Sequence, residues 1–325
     1  MWDRWKEIVI AIVLAMICPT LLFSLIYKQP QQQINEETKE QTQPTDTKQD
    51  MIYFSVLMDD GTVSEMDMDS YITSVVLREM PAEFETEALK AQAVVARTYA
   101  LRRYEVGGKH TNADVCTDPS CCQGYCSQEA FLSEGGTQEL LDKVESSVLS
   151  TSGQVLLYNG ELIDATYFSC SGGRTEDAKA VWGEDIPYLH STESPGEEEA
   201  SHSVDTVTFT KSEFADLVGT ELSGNPEKWT GTITYTKGGG VDTIDICGKS
   251  YKGTVIRQLL GLRSTAFVIN VVGDTVTVTT KGFGHRVGMS QYGADAMAVS
   301  GEGYEDILAH YYQNTQLTSY YRSKA

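Results

Sequence analysis

Glu79 is the residue whose type conflicts most with its position. It follows Ile72 by seven residues, Val75 by four and Val76 by three, on the apolar stripe of a segment that runs to Met80-Pro81. A carboxylate on such a stripe is partly desolvated, which raises its pKa and keeps its proton near neutral pH. A general acid that protonates the oxygen of a glycosidic bond needs that property. From spacing alone the plainer outcome is commoner: a helix-end Glu exposed by fraying, or paired with Arg78, Lys90 or Arg97. Lys90 and Arg97 share a face of the following helix, with Ala93 and Val94 between them. They can reach substrate carboxylate or carbonyl groups near Glu79, or lie on a solvated face. Placed too close, they would lower the pKa of Glu79.

A second group of candidates is His110, Cys116, Cys121 and Cys122, with Cys126 four residues on. Imidazole and thiolates on one short loop suit tetrahedral zinc, and four protein ligands would make the site structural. Adjacent cysteines are awkward ligands, and disulfides are an equal alternative outside the cytoplasm. The chain has seven Cys, so at least one stays outside any internal pairing. Cys170 and Cys247 can pair or remain thiols.

The third candidate is the glycine-rich run from Gly282 to Gly293, linking a strand to a helix. It contains neither a phosphate-loop Lys-Ser/Thr nor G-x-G-x-x-G. Around Ser290 it lacks the G-x-S-x-G of a nucleophile elbow. No S-x-x-K and no H-E-x-x-H occurs in the chain, which weakens acyl-enzyme and zinc-peptidase readings.

The elements that must position these residues follow from the hydrophobic pattern. Residues 8–26 carry no charge and are long enough for a single transmembrane helix. No small-residue cleavage site follows them, so they read as an uncleaved anchor. Residues 1–7 are then cytoplasmic, and the large domain that follows is extracytoplasmic. Residues 27–50 are rich in Gln, Thr, Glu and Lys and read as a polar tether. Residues 51–325 read as the folded domain. Its expected order is a strand at 52–57, a helix capped by Asp69 or Ser70, a helix opening at Thr86, the Cys loop, and a helix at 137–148. Strands follow at 154–158, 162–168, 204–210, 232–236, 241–247, 267–272 and 275–280. Short helices are expected at 211–218 and 254–260, and terminal ones at 290–299 and 304–313. The class is α+β, helical segments around a largely antiparallel β region. The formal charge of −21, from 25 Lys and Arg against 46 Asp and Glu, disfavours nucleic acid as a partner.

Several segments together resemble the stage II sporulation protein D family of lytic transglycosylases. They are Arg78 to Tyr99 with its Glu-Met-Pro, Tyr167 to Thr175, Val181-Trp-Gly-Glu, Pro187-Tyr-Leu, Arg257 to Ser264, and Gly282 to Ala294. They occur in family order from about Met51 to Leu317. The resemblance implies cleavage of peptidoglycan glycan strands during engulfment, preferably strands stripped of stem peptides. It implies partners: the amidase stage II sporulation protein P and the membrane protein stage II sporulation protein M. It carries the catalytic acid/base to Glu79, reversing the reading from spacing alone. It aligns Lys90 and Arg97 with residues important for activity, and puts Tyr167, Ser169, His285 and Gln291 in site-lining blocks. It raises zinc above disulfides, with His110, Cys116 and Cys122 matching the family's metal pattern. Cys121 stands where a second His is usual, which makes Cys126 a possible substitute ligand. Arg286 stands where Gly is usual. The rival is a non-catalytic glycan-binding scaffold that recruits or activates a wall amidase. A weaker third reading is a redox or metal-sensing domain built on the Cys loop.

Overall fold

The computed structural model describes residues 51–197, 200 and 203–320. The expected anchor at 8–26, the tether and the cytoplasmic N-terminus lie outside them. Among the described residues no helix is long and apolar enough to cross a membrane.

Strands β1 (Tyr53–Leu57) and β2 (Val63–Asp67) form a hairpin over Asp60-Gly61, and lead into α1 (Met68–Glu79) and α2 (Thr86–Val106). Strand β3 (Val115–Cys116) then returns parallel to β1, followed by α3 (Gln128–Ser133) and α4 (Gln138–Ser150). Next come β4 (Gln154–Tyr158), β5 (Glu161–Leu162), β6 (Tyr167–Phe168) and α5 (Ala178–Trp182). A β-rich region holds β7 (Val204–Thr210), α6 (Lys211–Val218), β8 (Thr230–Tyr235), β9 (Val241–Ile246), β10 (Lys249–Lys252), α7 (Gly253–Leu259), β11 (Ala266–Val272) and β12 (Thr275–Lys281). The chain returns through β13 (Met289–Ser290), α8 (Gln291–Val299), α9 (Tyr304–Tyr311) and β14 (Gln316–Ser319).

Mixed helices and antiparallel sheets bear out the α+β class. Among the described residues, pairing is antiparallel except for two short parallel contacts, β1 with β3 and β13 with β6. The expected strand at 162–168 divides into β5 and β6. The polar strands β2 and β10 and the short helices α3 and α5 escape the periodicity reading, being too short or too exposed to show a stripe. Asp67, rather than Asp69 or Ser70, caps α1 by accepting from Ser70 N–H. Thr86 is inside α2, whose cap residue Glu85 makes no side-chain bond.

Two apolar cores result. One is centred on α1 and α2, where Ala88, Ala91, Ala93, Ala96 and Ala100 let neighbouring elements approach closely. The other lies within the β-rich region around Trp229, Ile244, Phe267 and Val276.

Arg97 sits in the first core with 0% of its surface exposed. Its guanidinium donates to Asp69 Oδ1 at 3.2 Å, to the Val148 carbonyl at 3.1 Å and to the Gln154 carbonyl at 3.4 Å. It thus ties the first turn of α1 to the end of α4 and the start of β4. Arg97 was expected beside Glu79, but Asp69 and Glu79 are ten residues apart on one helix, about 15 Å along its axis. The enclosed position of Arg97 follows from the small-residue stripe, which brings its whole helix face into the interior.

Removing one member of a buried charge pair leaves the other unpaired. Arg97→Ala should therefore lower stability by about 3 kcal/mol, read as a clear drop in Tm. An unchanged Tm would mean that Arg97 does not hold these elements together.

Candidate active site

Glu79 is the last residue of α1. The helix stops there because Pro81 forces Met80 into extended backbone, at φ −128° and ψ 136°. The apolar stripe of α1 carries the Glu79 carboxylate to the edge of the first core, where it is partly buried. Burial raises its pKa above the ordinary carboxylate value. Three groups oppose that shift without cancelling it: the Gly124 N–H, the Tyr167 hydroxyl and the Arg78 charge. The Gly124 N–H donates to Glu79 Oε1 at 2.5 Å. Only glycine fits at 124, because a Cβ there would lie 2.7 Å from Arg78 Cγ and 2.9 Å from Glu79 Oε1.

The Tyr167 hydroxyl donates to Glu79 and accepts from Gln123 Nε2 at 3.1 Å. Burial first, and then the Glu79 charge, push the Tyr167 phenol well above its usual range, so it stays a donor. Tyr71 feels the charge of Glu79, and its hydroxyl is buried without a hydrogen-bond partner. Gln123 Oε1 and Gln291 Nε2 are likewise buried and unpartnered. Such orphaned polar atoms call for water or a polar ligand.

The glycine-rich run reaches this group through β13, whose Met289 pairs with Tyr167 and Ser290 with Phe168. Gln291 opens α8 directly after that pairing. The Ser169 carbonyl accepts from the Tyr292 N–H at 3.1 Å, which places Ser169 beside the same helix start. The His285 ring donates to the Tyr167 carbonyl and accepts at Nδ1 from the Val287 N–H at 3.1 Å. Burial, reinforced by the Arg257 charge, pushes its pKa down to about 4. His285 is therefore a neutral, fixed ring at physiological pH. Arg286 occupies left-handed backbone at φ 67°, which glycine tolerates freely. Its guanidinium offsets that strain by donating to the carbonyls of Ser171, Arg174 and Gly238 and to Glu176 Oε1.

Of the expected site residues, the structure joins Tyr167 directly to Glu79, with His285 one step behind it. It places Arg97 in the core and turns Lys90 toward its own helix. Lys90 Nζ donates to Glu87 Oε1 at 2.7 Å and lies 5.8 Å from the centre of the Tyr304 ring. The cation acting on Glu79 is Arg78.

The donor atoms of His110, Cys116, Cys121 and Cys122 all lie within 4.8 Å of one another. Cys121 Sγ is 3.6 Å and Cys122 Sγ 3.8 Å from His110 Nε2. Zn–S and Zn–N bonds of ordinary length in a tetrahedron put sulfur and nitrogen about 3.6 Å apart, so the donor set fits zinc. The described cysteines are all free thiols. Cys126 is outside the cluster, its Sγ set 3.5 Å from the Ser127 carbonyl and its N–H bonded to the Ser74 carbonyl on α1. The substitute-ligand role expected for Cys126 therefore falls away, and Cys121 completes the four.

Gln123 and Gly124, which the sequence reading missed, follow Cys122 directly. The loop that gathers the thiols also delivers two hydrogen bonds to the Glu79–Tyr167 pair. A Gly immediately beyond a cluster of ligand-type residues was the available signal.

A family model described as "Stage II sporulation protein" matches residues 59–158. Stage II sporulation protein D of Bacillus subtilis (strain 168) is 42% identical over 262 residues, covering 79% of this chain and 76% of that protein. Its counterpart in Bacillus amyloliquefaciens is 40% identical over the same share of each chain. An amidase enhancer of Bacillus subtilis (strain 168) is 28% identical over 307 residues, covering 77% of this chain and 40% of the relative. With identity at that level across most of both chains, this chain belongs to the stage II sporulation protein D family.

Proposed function

We propose that this sporulation-family protein is a lytic transglycosylase of peptidoglycan, with Glu79 as its acid and base. The observation that carries the reading is a half-buried carboxylate of raised pKa, held by one backbone N–H and one phenol. Protonated Glu79 gives its proton to the oxygen leaving C1 of N-acetylmuramic acid, and the C1–O bond to N-acetylglucosamine breaks. The sugar passes through an oxocarbenium-like state. Ionised Glu79 then takes the proton from the C6 hydroxyl of the same sugar, whose oxygen closes on C1. The product is a 1,6-anhydro end, no water is consumed, and Glu79 returns to its starting form. The Gly124 N–H and Tyr167 hydroxyl stabilise Glu79 during its ionised interval. Tyr167, Ser169, His285 and Gln291 line the site. Lys90 can join them only by leaving Glu87.

Zinc held by His110, Cys116, Cys121 and Cys122 would have a closed set of protein ligands, and so supply structural rather than Lewis-acid chemistry. Its place is to fix the loop that ends in Gln123 and Gly124. The protein is further proposed to be held at the membrane by residues 8–26, with its catalytic domain outside. Its proposed partners are stage II sporulation proteins P and M. A second reading, a scaffold that stimulates a wall amidase, draws on the relative named as an amidase enhancer.

Glu79→Gln should bind strands and release no anhydro ends, as seen by mass spectrometry; release at the unsubstituted rate would mean that Glu79 is not the acid, whereas no release by the unsubstituted chain would leave the scaffold reading in its place. The cleavage rate of the unsubstituted protein should be flat at low pH and fall as pH rises through the raised Glu79 pKa, because the acid is then lost. A rate that rises across that range would rule out Glu79 as proton donor. Metal analysis with thiol titration should find one zinc per chain, lost in Cys122→Ser. Disulfides without metal would contradict the zinc assignment.

A further inference from the structure

We infer that Trp182, with Phe283 two residues along the chain from its neighbour His285, forms an outlying carbohydrate subsite that binds an N-acetylhexosamine of the strand at a distance from Glu79. The inference rests on the glycan-cleaving reading and extends it along the strand. Trp182 is 44% exposed, although a ring of that size is normally withdrawn from water. It ends the short helix α5, which Gly183 stops in left-handed backbone at φ 85°. The turn is closed at its base, where the Ala178 N–H donates to the Leu189 carbonyl at 3.0 Å. Trp182 is therefore presented from a braced turn.

Its ring centre lies 5.4 Å from that of His285, and the other neighbour of His285 is Phe168 at 5.6 Å. His285 in turn donates to the Tyr167 carbonyl, and the Tyr167 hydroxyl donates to Glu79. An unbroken path thus joins the exposed indole to the proposed acid. Phe283, also 44% exposed, is two residues from His285 and is braced by the Arg263 guanidinium 5.4 Å from its ring centre. His285 stays neutral, so the ring against which Trp182 is seated adds no charge of its own.

Two separate aromatic rings among polar groups suit a sugar, which offers a C–H face to each ring and hydroxyls to the rim. A protein partner would need a continuous buried patch of roughly 800 Å² on this chain.

The test titrates the full chain with β-1,4-linked N-acetylglucosamine oligomers of increasing length, following tryptophan fluorescence and affinity, with anhydro-end release from glycan strands measured in parallel. The unsubstituted chain and Glu79→Gln should both show a fluorescence change, and Trp182→Phe should not. Trp182→Ala should weaken long oligomers about tenfold, leave the shortest unaffected and keep the Tm, while Trp182→Tyr restores affinity. Silent fluorescence at saturation, or an unchanged affinity in Trp182→Ala, overturns the subsite. If anhydro ends are still released in that case, the cleavage reading stands without it. A Trp182 response in an unsubstituted chain that releases no anhydro ends supports the subsite and overturns the cleavage reading.

Discussion

The Gly124 N–H meets the Glu79 carboxylate where α1 runs out, and most of the surrounding structure serves that contact. Burial alone would favour a permanently protonated Glu79, a good donor but a poor acceptor of the returning proton. A single short backbone bond, assisted by the Tyr167 phenol, favours the ionised form and so opposes the upward shift that burial imposes. The contact needs a residue without a side chain at 124 and a loop whose backbone cannot drift. The loop is pinned at both ends: β3 pairs with β1, and the Cys126 N–H bonds to Ser74 on α1. Between those pins, the thiols of Cys121 and Cys122 converge with Cys116 on His110. A metal bound there would hold the loop in place rather than act on the substrate.

Much of this was legible in the sequence, for identifiable reasons. The position of Glu79 was legible because a charged residue interrupts an apolar stripe of helical period, but spacing alone favoured a plain helix-end residue and only the family resemblance singled it out. The long helices and the hairpin of β11 and β12 have strong periodicity. The cluster of His110, Cys116, Cys121 and Cys122 was legible because His and Cys crowd one loop. Gln123 and Gly124 were not legible: their roles depend on a backbone N–H and an amide reaching across some 45 positions, which no local pattern records. Arg97 misled because its spacing with Lys90 defines a helix face without saying which side of the domain that face meets. Its neighbours are alanines, and the structure uses their small size to bring α4 and β4 over the guanidinium.

The acidic balance of the chain takes on a narrower meaning beside this site. Beside the Glu79 carboxyl, whose pKa burial raises, the site holds a phenol kept far from ionisation, a neutral imidazole and several amides. Some acidic residues are buried and structural. Glu197, for example, accepts from the backbone N–H groups of Ser171 and Gly173 and from the hydroxyls of Ser171, Ser194 and Ser290. Those bonds fix the turn after β6 and the start of α8, and so the two walls that carry Tyr167 and Gln291.

The central claim is that one carboxylate breaks the glycosidic bond using the sugar's own hydroxyl in place of water. Digestion of purified, peptide-free glycan strands in heavy-oxygen water tests it directly. The account predicts new chain ends with the mass of the anhydro sugar and no heavy oxygen. Reducing ends that carry the heavy oxygen would show hydrolysis, and with it a second carboxylate or a metal-activated water that this account does not contain.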